Sequence, residues 1–456
     1  MTGLRRRGAL APLALAAAVL LAAGCSAPGS SSSSAPTTKA PSAISTDPAK
    51  AGKVTLRVWD QEVRGGQDAE ITQLNKEFQA KYPNVTIQRT SKSFSDLKTT
   101  LKLALSGNNP PDVVEVNQGY PDMVSFVKAG MLLPLDNYAK VYAWSDRWPK
   151  SLLDLNRVND DASAFGEGKL YGVSQMGEYV GVYYNKAKLK ALGLQPPKTW
   201  DEFTADLAKA KAKGEVPIQF GNLDKWPAIH TFGVIQAQLA GADDVRSLVF
   251  GTGNASWTDP KTVEAARTLQ DWAKKGYFPD GVNGIGYDDS VKHFAAGQGV
   301  FLVTGTWAAA DLKGPMGGKL GLMVPPASKN ATPVTTGGES LAFGITGKSR
   351  HADVAAAYLN YITDGHAGDV MTETGNLAAV PSRAAKDLPP SSIGGQMVAG
   401  WQQIGQADGQ VPYLDYSTPT FYDTVTAALQ SLIGGKVTPE QFTKTLQDDY
   451  TKFHQG

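Results

Sequence analysis

Val54, Leu56 and Val58 alternate with Thr55 and Arg57, the period of two that sends every second side chain to one face of a strand. From Asp68 onward the period changes, and Ile71, Leu74 and Phe78 recur at helical spacing until Tyr82-Pro83 stops the run. The spacing then predicts a short strand around Val85 to Gln88 and a helix with Leu97, Leu101 and Leu105 on one face, closed by Gly107. After Pro111-Asp112 comes the apolar run Val113-Val114-Glu115-Val116. Farther along, Tyr171 to Tyr184 reads as strand, Thr199-Trp200-Asp201-Glu202 as a capping box opening a helix, and Val216 to Phe220 as strand. Asp259-Pro260 caps a helix carrying Val263, Leu269 and Trp272, Val300 to Val303 is a buried strand, and Thr438-Pro439-Glu440-Gln441 starts the last helix. Alternation of this kind predicts an α/β fold with parallel sheets flanked by helices, and 456 residues are too many for one open sheet, so two lobes are expected.

Open α/β sheets bind ligands beyond the carboxyl ends of their strands, where helix amino ends point. Here Val58 is followed by Trp59-Asp60-Gln61-Glu62-Val63-Arg64-Gly65-Gly66, and Val116 by Asn117-Gln118-Gly119-Tyr120. Phe220 is followed by Gly221-Asn222-Leu223-Asp224-Lys225-Trp226-Pro227, and Val303 by Thr304-Gly305-Thr306-Trp307. Each exit has glycine and an aromatic, joined by amide or carboxylate side chains in the first three and by threonine hydroxyls in the last. Flat rings beside bidentate hydrogen-bonding groups suit a sugar, which has C–H faces and a rim of hydroxyls that donate and accept. Core packing is the competing reading for any one Trp; it explains aromatics at several separate exits less well.

Charge changes the picture by exclusion. Forty-four Lys and Arg against 43 Asp and Glu give a formal +1, which supplies no general field for nucleic acid or an anionic membrane. Hydrophobic residues at 42% and charged residues at 19% support a sizeable core. The 1 cysteine, Cys25, excludes an intrachain disulfide, a Cys-based zinc cluster and an Fe–S site. The 5 histidines, His230 among them close after Trp226, have no close ligand spacing, so neither a metal nor a cofactor is expected.

Arg5, Arg6 and Arg7 precede an apolar stretch from about Ala9 to Leu21, short for a membrane span and suited to a signal-peptide core. The stretch ends Leu21-Ala22-Ala23-Gly24-Cys25, which resembles a bacterial lipobox although Ala22 stands where that motif more often has Leu. The resemblance implies a lipoprotein signal peptide over 1–24 and a diacylglycerol anchor on Cys25; an ordinary signal peptide with a chance cysteine is the alternative. Ser26 to Ser42 is almost wholly Ser, Ala, Pro, Thr and Gly, so 25–52 is expected to be a tether and the folded body to begin near Lys53.

Several segments together resemble the carbohydrate-binding proteins of bacterial ABC importers, the extracellular solute-binding family 1 that includes maltose-binding protein. They are FQAKYPNV (78–85), LALSGNNPPDVV (103–114), GMLLPLDNY (130–138) and GKLYG (168–172). VYYNK (182–186), PPKTWDEF (196–203), FAAGQGVFLVTGTW (294–307) and GGESLAFGIT (337–346) continue them in the family's order. The resemblance implies a two-lobed periplasmic-binding-protein-like fold, with lobe 1 over 53–174 and 335–382 and lobe 2 over 175–334 and 383–456. It further implies a ligand cleft between lobes, hinge closure, an ABC permease partner, a monomer, and a location outside the cytoplasm on the outer face of the cell membrane.

Carried over by segment, the resemblance brings Gln61, Glu62 and Arg64 to the cleft, with Asn117 and Gln118 from the exit after PPDVVEV. Glu178 falls in the first crossing, Trp226 and Trp307 where relatives stack rings on sugars, and Tyr422 in FYDTV is a looser match. Gly338 and Glu339 belong to the second crossing, and Asp60 and Asp288 are neighbours that serve equally well as turn formers. Only Arg64 and Lys225 are basic at these exits, so an uncharged sugar or oligosaccharide is expected ahead of a sugar phosphate.

A secreted glycoside-processing hydrolase is the competing class. Asp60, Glu62, Glu178 and Asp288 could supply the two facing carboxylates of a glycosidase. Gly338-Glu339-Ser340-Leu341-Ala342 is one residue short of a nucleophile elbow, with Asp353 and His366 following, but strand-like sequence comes after the Ser where an elbow needs a helix.

Overall fold

Residues 36–328 and 331–454 are described by a computed structural model. The signal segment and Cys25 lie outside the described residues. The first sheet is built as the alternating pattern predicts: β1 (Val54–Asp60) runs parallel to β2 (Val85–Ser91) on one side and to β3 (Val113–Val116) on the other. Between β1 and β2 the helix Gly65–Lys81 buries Ile71, Leu74 and Phe78, and between β2 and β3 the helix Phe94–Ser106 buries Leu97, Leu101 and Leu105. Ser93 caps the latter by accepting from the Asp96 amide at 3.1 Å. A small hairpin, β4 (Arg157–Val158) with β5 (Lys169–Leu170), precedes the crossing to the second sheet.

The stretch expected as one strand from Tyr171 to Tyr184 is strand only in β6 (Gly177–Asn185), because Val173 bridges Phe343 of the first lobe and the chain crosses over after it. Around β6 stand β7 (Ile218–Gln219), β8 (Phe301–Gly305), β9 (Leu320–Met323), β10 (Thr335–Glu339) and β12 (Gln410–Val411), in the order β12-β10-β6-β8-β7 with β9 also on β6. The remaining strand, β11 (Ala342–Ile345), returns to the first sheet beside β3.

Two expectations change here. The sheets are mixed, not parallel: β6 is antiparallel to β8, β9 and β10, and β11 is antiparallel to β3. The cause is the return path, in which the chain leaves β10 and enters β11 with only Ser340 and Leu341 between them, so consecutive strands fall in different sheets. For the same reason Thr335–Glu339, assigned above to lobe 1, pairs within the second sheet, and the boundary expected at 335 falls at Ser340.

The expected tether also folds in part. Pro41–Ala43 and Pro48–Ala51 are 3-10 turns, for which proline presets φ. Their strap is held to the first lobe by Lys39 Nζ and the Ser45 amide on Asp353, at 2.8 and 3.1 Å, and by Asn84 Nδ2 donating to the carbonyls of Pro48 and Gly52, at 2.8 and 2.7 Å. Asn137 Nδ2 donates to the Lys39 carbonyl at 2.9 Å. Composition undervalued the segment because these partners come from outside it.

Candidate functional site

The strand ends of the two lobes face one another across a cavity of about 310 Å³, within the size range of small-ligand sites. Its first wall comes from the first lobe: Gln61 and Arg64 after β1, Ser93 and Phe94 after β2, and Asn117 after β3. Its second wall is aromatic. Trp226 ends the loop that opens the helix Pro227–Ala240, Tyr287 opens the helix Tyr287–Ala295, Trp307 follows β8, and Tyr413 and Tyr416 follow β12. Glu178 enters the cavity from β6.

The second wall is braced internally. Trp226 and Tyr287 have ring centroids 4.4 Å apart, Trp307 Nε1 donates to the Tyr287 hydroxyl at 2.7 Å, and that hydroxyl lies 2.8 Å from Thr304 Oγ1. His230 sits among Trp307, Trp226 and Tyr413, at centroid distances of 5.2, 5.4 and 5.3 Å. Gly305 lets the Trp307 indole fold back over its own strand end, since a Cβ there would stand 1.9 Å from the ring.

Across the cleft the walls touch at charged and aromatic points. Arg64 reaches Asp288 at 2.7 Å and Asp311 at 3.2 Å, with its guanidinium 4.8 Å from the Tyr287 ring centroid. Phe94 lies 6.1 Å from Trp226 and 6.3 Å from Tyr422, centroid to centroid. The Tyr416 hydroxyl donates to Asn117 Oδ1 at 3.3 Å and Gln118 Oε1 at 3.1 Å, and Asn117 Nδ2 donates to Asp415 at 3.5 Å. Gly119, at φ +78°, permits this approach, because a Cβ would stand 2.4 Å from that of Tyr416.

Burial sets the charge of the floor. It pushes Glu178 up to about 8, helped by the charge of Glu62 and opposed by the Tyr413 hydroxyl, which donates to Glu178 Oε2 at 3.3 Å. Burial likewise raises Asp415 to about 6 and lowers His230 to about 3, leaving a neutral imidazole whose buried Nδ1 lacks a partner among the described residues. At neutral pH the Glu178 carboxyl can therefore both donate and accept. Arg64 is the only arginine or lysine among the described lining residues, and Asp288 and Asp311 already engage it.

Of the residues singled out from sequence, the cavity brings together Gln61, Arg64, Asn117, Glu178, Trp226, Asp288, Trp307 and Tyr422. Five do not line it. Asp60 is buried under Arg89, which bonds its two oxygens at 2.7 and 3.0 Å. Glu62 points into the first lobe and is fully buried, because alternation past β1 turns it away from Gln61. Gln118 is spent on the Ser340 carbonyl, at 2.9 Å, and on Tyr416. Gly338 pairs with Glu178 in the β10–β6 ladder, and Glu339 accepts from Asn156 within the crossing.

Sequence reasoning missed Phe94, Tyr287, Tyr413, Asp415 and Tyr416. The first two sit at helix amino ends that face the cleft, a position the strand-exit rule covers but which needed the helix starts to be known. The other three follow a two-residue strand, β12, in or just before a 3-10 turn over Leu414–Tyr416, and neither element has a periodic signal. The serine-nucleophile reading is not assembled: Asp353 bonds Lys39 and Tyr138, and His366 bonds Glu77, in the first lobe. The glycosidase set also disperses, since Asp60 and Glu62 lie behind the wall and Asp288 is held by Arg64. Among the described residues no group of His, Cys, Asp and Glu is placed to hold a metal, and no helix is long and apolar enough to cross a membrane.

Two α/β lobes with a cleft at their strand ends define the fold class of the two-lobed solute-binding proteins. Among solved structures, a chitin oligosaccharide binding protein matches with a TM-score of 0.76 at 24% identity, over 89% of this chain and 100% of that one. A solute-binding protein in complex with raffinose matches with a TM-score of 0.68 at 21% identity, over 88% of this chain and 100% of that one. The chain belongs to the bacterial extracellular solute-binding protein family, whose model matches residues 65–364. A multiple sugar-binding protein of Streptococcus mutans is 26% identical over 324 residues, 70% of this chain and 73% of that protein. A diacetylchitobiose binding protein of Streptomyces coelicolor is 24% identical over 219 residues, 48% of this chain and 46% of that protein.

Proposed function

We propose that the chain is the sugar-capturing component of an ABC importer, holding an uncharged sugar or short oligosaccharide between its lobes and delivering it to a permease. The observation that carries this reading is the pairing of walls: indole and phenol rings of Trp226, Trp307 and Tyr413 opposite Gln61 and Asn117, with Glu178 at the floor. Rings cover C–H faces, while amides and a carboxyl able to donate and accept meet hydroxyls. The engaged state of Arg64 argues against phosphorylated sugars, which need free guanidinium or ammonium groups. The sugars named for the Streptococcus mutans and Streptomyces coelicolor relatives point the same way. The reading includes action as a monomer without cofactor or catalysis, and anchoring outside the cytoplasm through a lipid on Cys25.

The test is a thermal-shift screen against neutral mono- and oligosaccharides with uronic acids and sugar phosphates alongside. A ligand that binds the native state alone raises stability as RT ln(1 + [L]/Kd). A neutral sugar should raise the Tm and make the particle more compact in small-angle scattering. No response to any neutral sugar, or release of reducing ends in proportion to protein, would sink the reading.

A further inference from the structure

Behind the first wall the first lobe buries four carboxylates, Asp60, Glu62, Glu70 and Glu115, and one guanidinium bonded among them, that of Arg89. Arg89 is used up by Asp60, by Asp68 at 2.6 Å and by the backbone carbonyl of Glu62 at 2.6 Å. Glu70 Oε1 accepts from Gln175 at 3.0 Å. Glu115 Oε2 accepts the backbone amide of Gln61 at 2.5 Å. Both carboxyl oxygens of Glu62, Oε1 of Glu115 and Oε2 of Glu70 remain buried without a donor among the described residues, and the Gln61 amide on Glu115 brings the next residue, Glu62, to the same buried cluster.

Two carboxylates in a desolvated site cannot both ionise at contact, and they bond only through a hydrogen. We infer that Glu62 and Glu115 share one proton as a carboxylic acid–carboxylate pair, and that this proton holds the loop Gln61–Arg64 where it meets the cavity. The connection is short: Glu115 carries the Gln61 amide, and Glu62 is one residue from Gln61 and two from Arg64. Glu62 is thus a positioning residue, not a ligand contact.

The groups facing the pair are Asp60 on β1, Arg89 on β2, Arg64 and Glu70 at the helix Gly65–Lys81, Glu178 on β6 and Tyr358 on the helix Ala352–Ile362. Burial, with Asp60 adding to it, lifts Glu62 to about 7, and burial lifts Glu115 as well. A carboxyl raised in the folded state favours the folded state less as pH climbs from its unfolded value, so the loop should loosen toward alkaline pH.

The inference uses the cavity proposed above, but its test needs no sugar. Hydrogen exchange of the ligand-free full chain, corrected for intrinsic rates, should be followed by mass spectrometry in wild type, Glu62→Gln, Glu115→Gln and Glu178→Gln. Protection over Gln61–Arg64 should hold through about pH 7, where Glu62 ionises and the pair keeps one proton, and fall about tenfold at higher pH as Glu115 loses it, in wild type and Glu178→Gln. It should hold in Glu62→Gln, whose amide donates to Glu115 at every pH. Wild-type protection that is flat with pH, or a Glu62→Gln profile that follows wild type, would overturn the inference. Glu115→Gln supplies the same comparison if Glu62→Gln does not fold. In Glu178→Gln, carboxyl 13C signals of glutamate that all titrate in the ordinary carboxylate range would overturn it without the other two variants.

Discussion

The two walls of the cavity are made of different materials. The second is a braced stack of rings, with Trp226, Tyr287, Trp307 and His230 in mutual contact and a hydrogen bond from indole to phenol inside it. The first is a set of loop ends whose positions depend on pairs: Arg64 with Asp288 and Asp311, Gln61 with Glu115, Asn117 with Tyr416. Rings that hold one another change little with solvent conditions, whereas ion pairs weaken with salt. Sensitivity to pH belongs to the floor between the walls, where Glu178 stands, and reaches the first wall from behind, through Glu62 and Glu115, and from across, through Asp415 on Asn117. On the proposed reading, the wall that would grip a sugar is separate from the groups that would align it.

The largest effect expected is on stability against pH. Glu178, raised from 4.5 to about 8 chiefly by burial, costs the ligand-free protein stability as pH rises through that window, at about 1.4 kcal/mol per pH unit. Denaturant titrations of wild type and Glu178→Gln at several pH values should diverge across the window, and parallel profiles would remove Glu178 from the floor's charge balance. Next comes Trp307→Ala or Trp226→Ala, which should weaken sugar binding by about 2 kcal/mol or more, roughly 30-fold in Kd. Calorimetry beside ligand-free melting decides the matter: a variant that melts much earlier but, while folded, binds normally has lost core and not grip.

Asn117→Ala should cost about 1 kcal/mol of sugar affinity, the worth of an ordinary hydrogen bond, and a loss as large as that of either Trp would erase the distinction between the walls. The smallest effect should be that of Arg64→Ala on ligand-free stability, under about 1 kcal/mol by denaturant titration because Asp288 is largely exposed. Its signature is elsewhere: wild-type affinity should depend on ionic strength and the variant's should not.

The difference between walls also explains what could be read from sequence. Strands β1, β3 and β8 carry alternating or continuous apolar runs, so their exits, and with them Gln61, Arg64, Asn117 and Trp307, were legible. The family segment places Glu62 in the cleft with Gln61 and Arg64, but the strand's alternation carries two residues past β1 and turns Glu62 inward. Tyr413, Asp415 and Tyr416 arrive just after a two-residue strand, β12, whose partner is the edge of β10. No local pattern announces a strand of that kind. The mixed sheet was hidden for a related reason: strand direction depends on where the chain crosses between lobes, and that is decided at Ser340-Leu341, a site with no periodicity of its own.

The strap over residues 36–52 has a mechanical consequence. Its holding points, Asp353, Asn137 and Asn84, all belong to the lobe that carries the first sheet. Tension transmitted along the chain from residues before 36 is therefore borne by one lobe alone. If the chain is anchored through Cys25 as proposed, hinge motion of the other lobe about the crossings would perform no work against that leash.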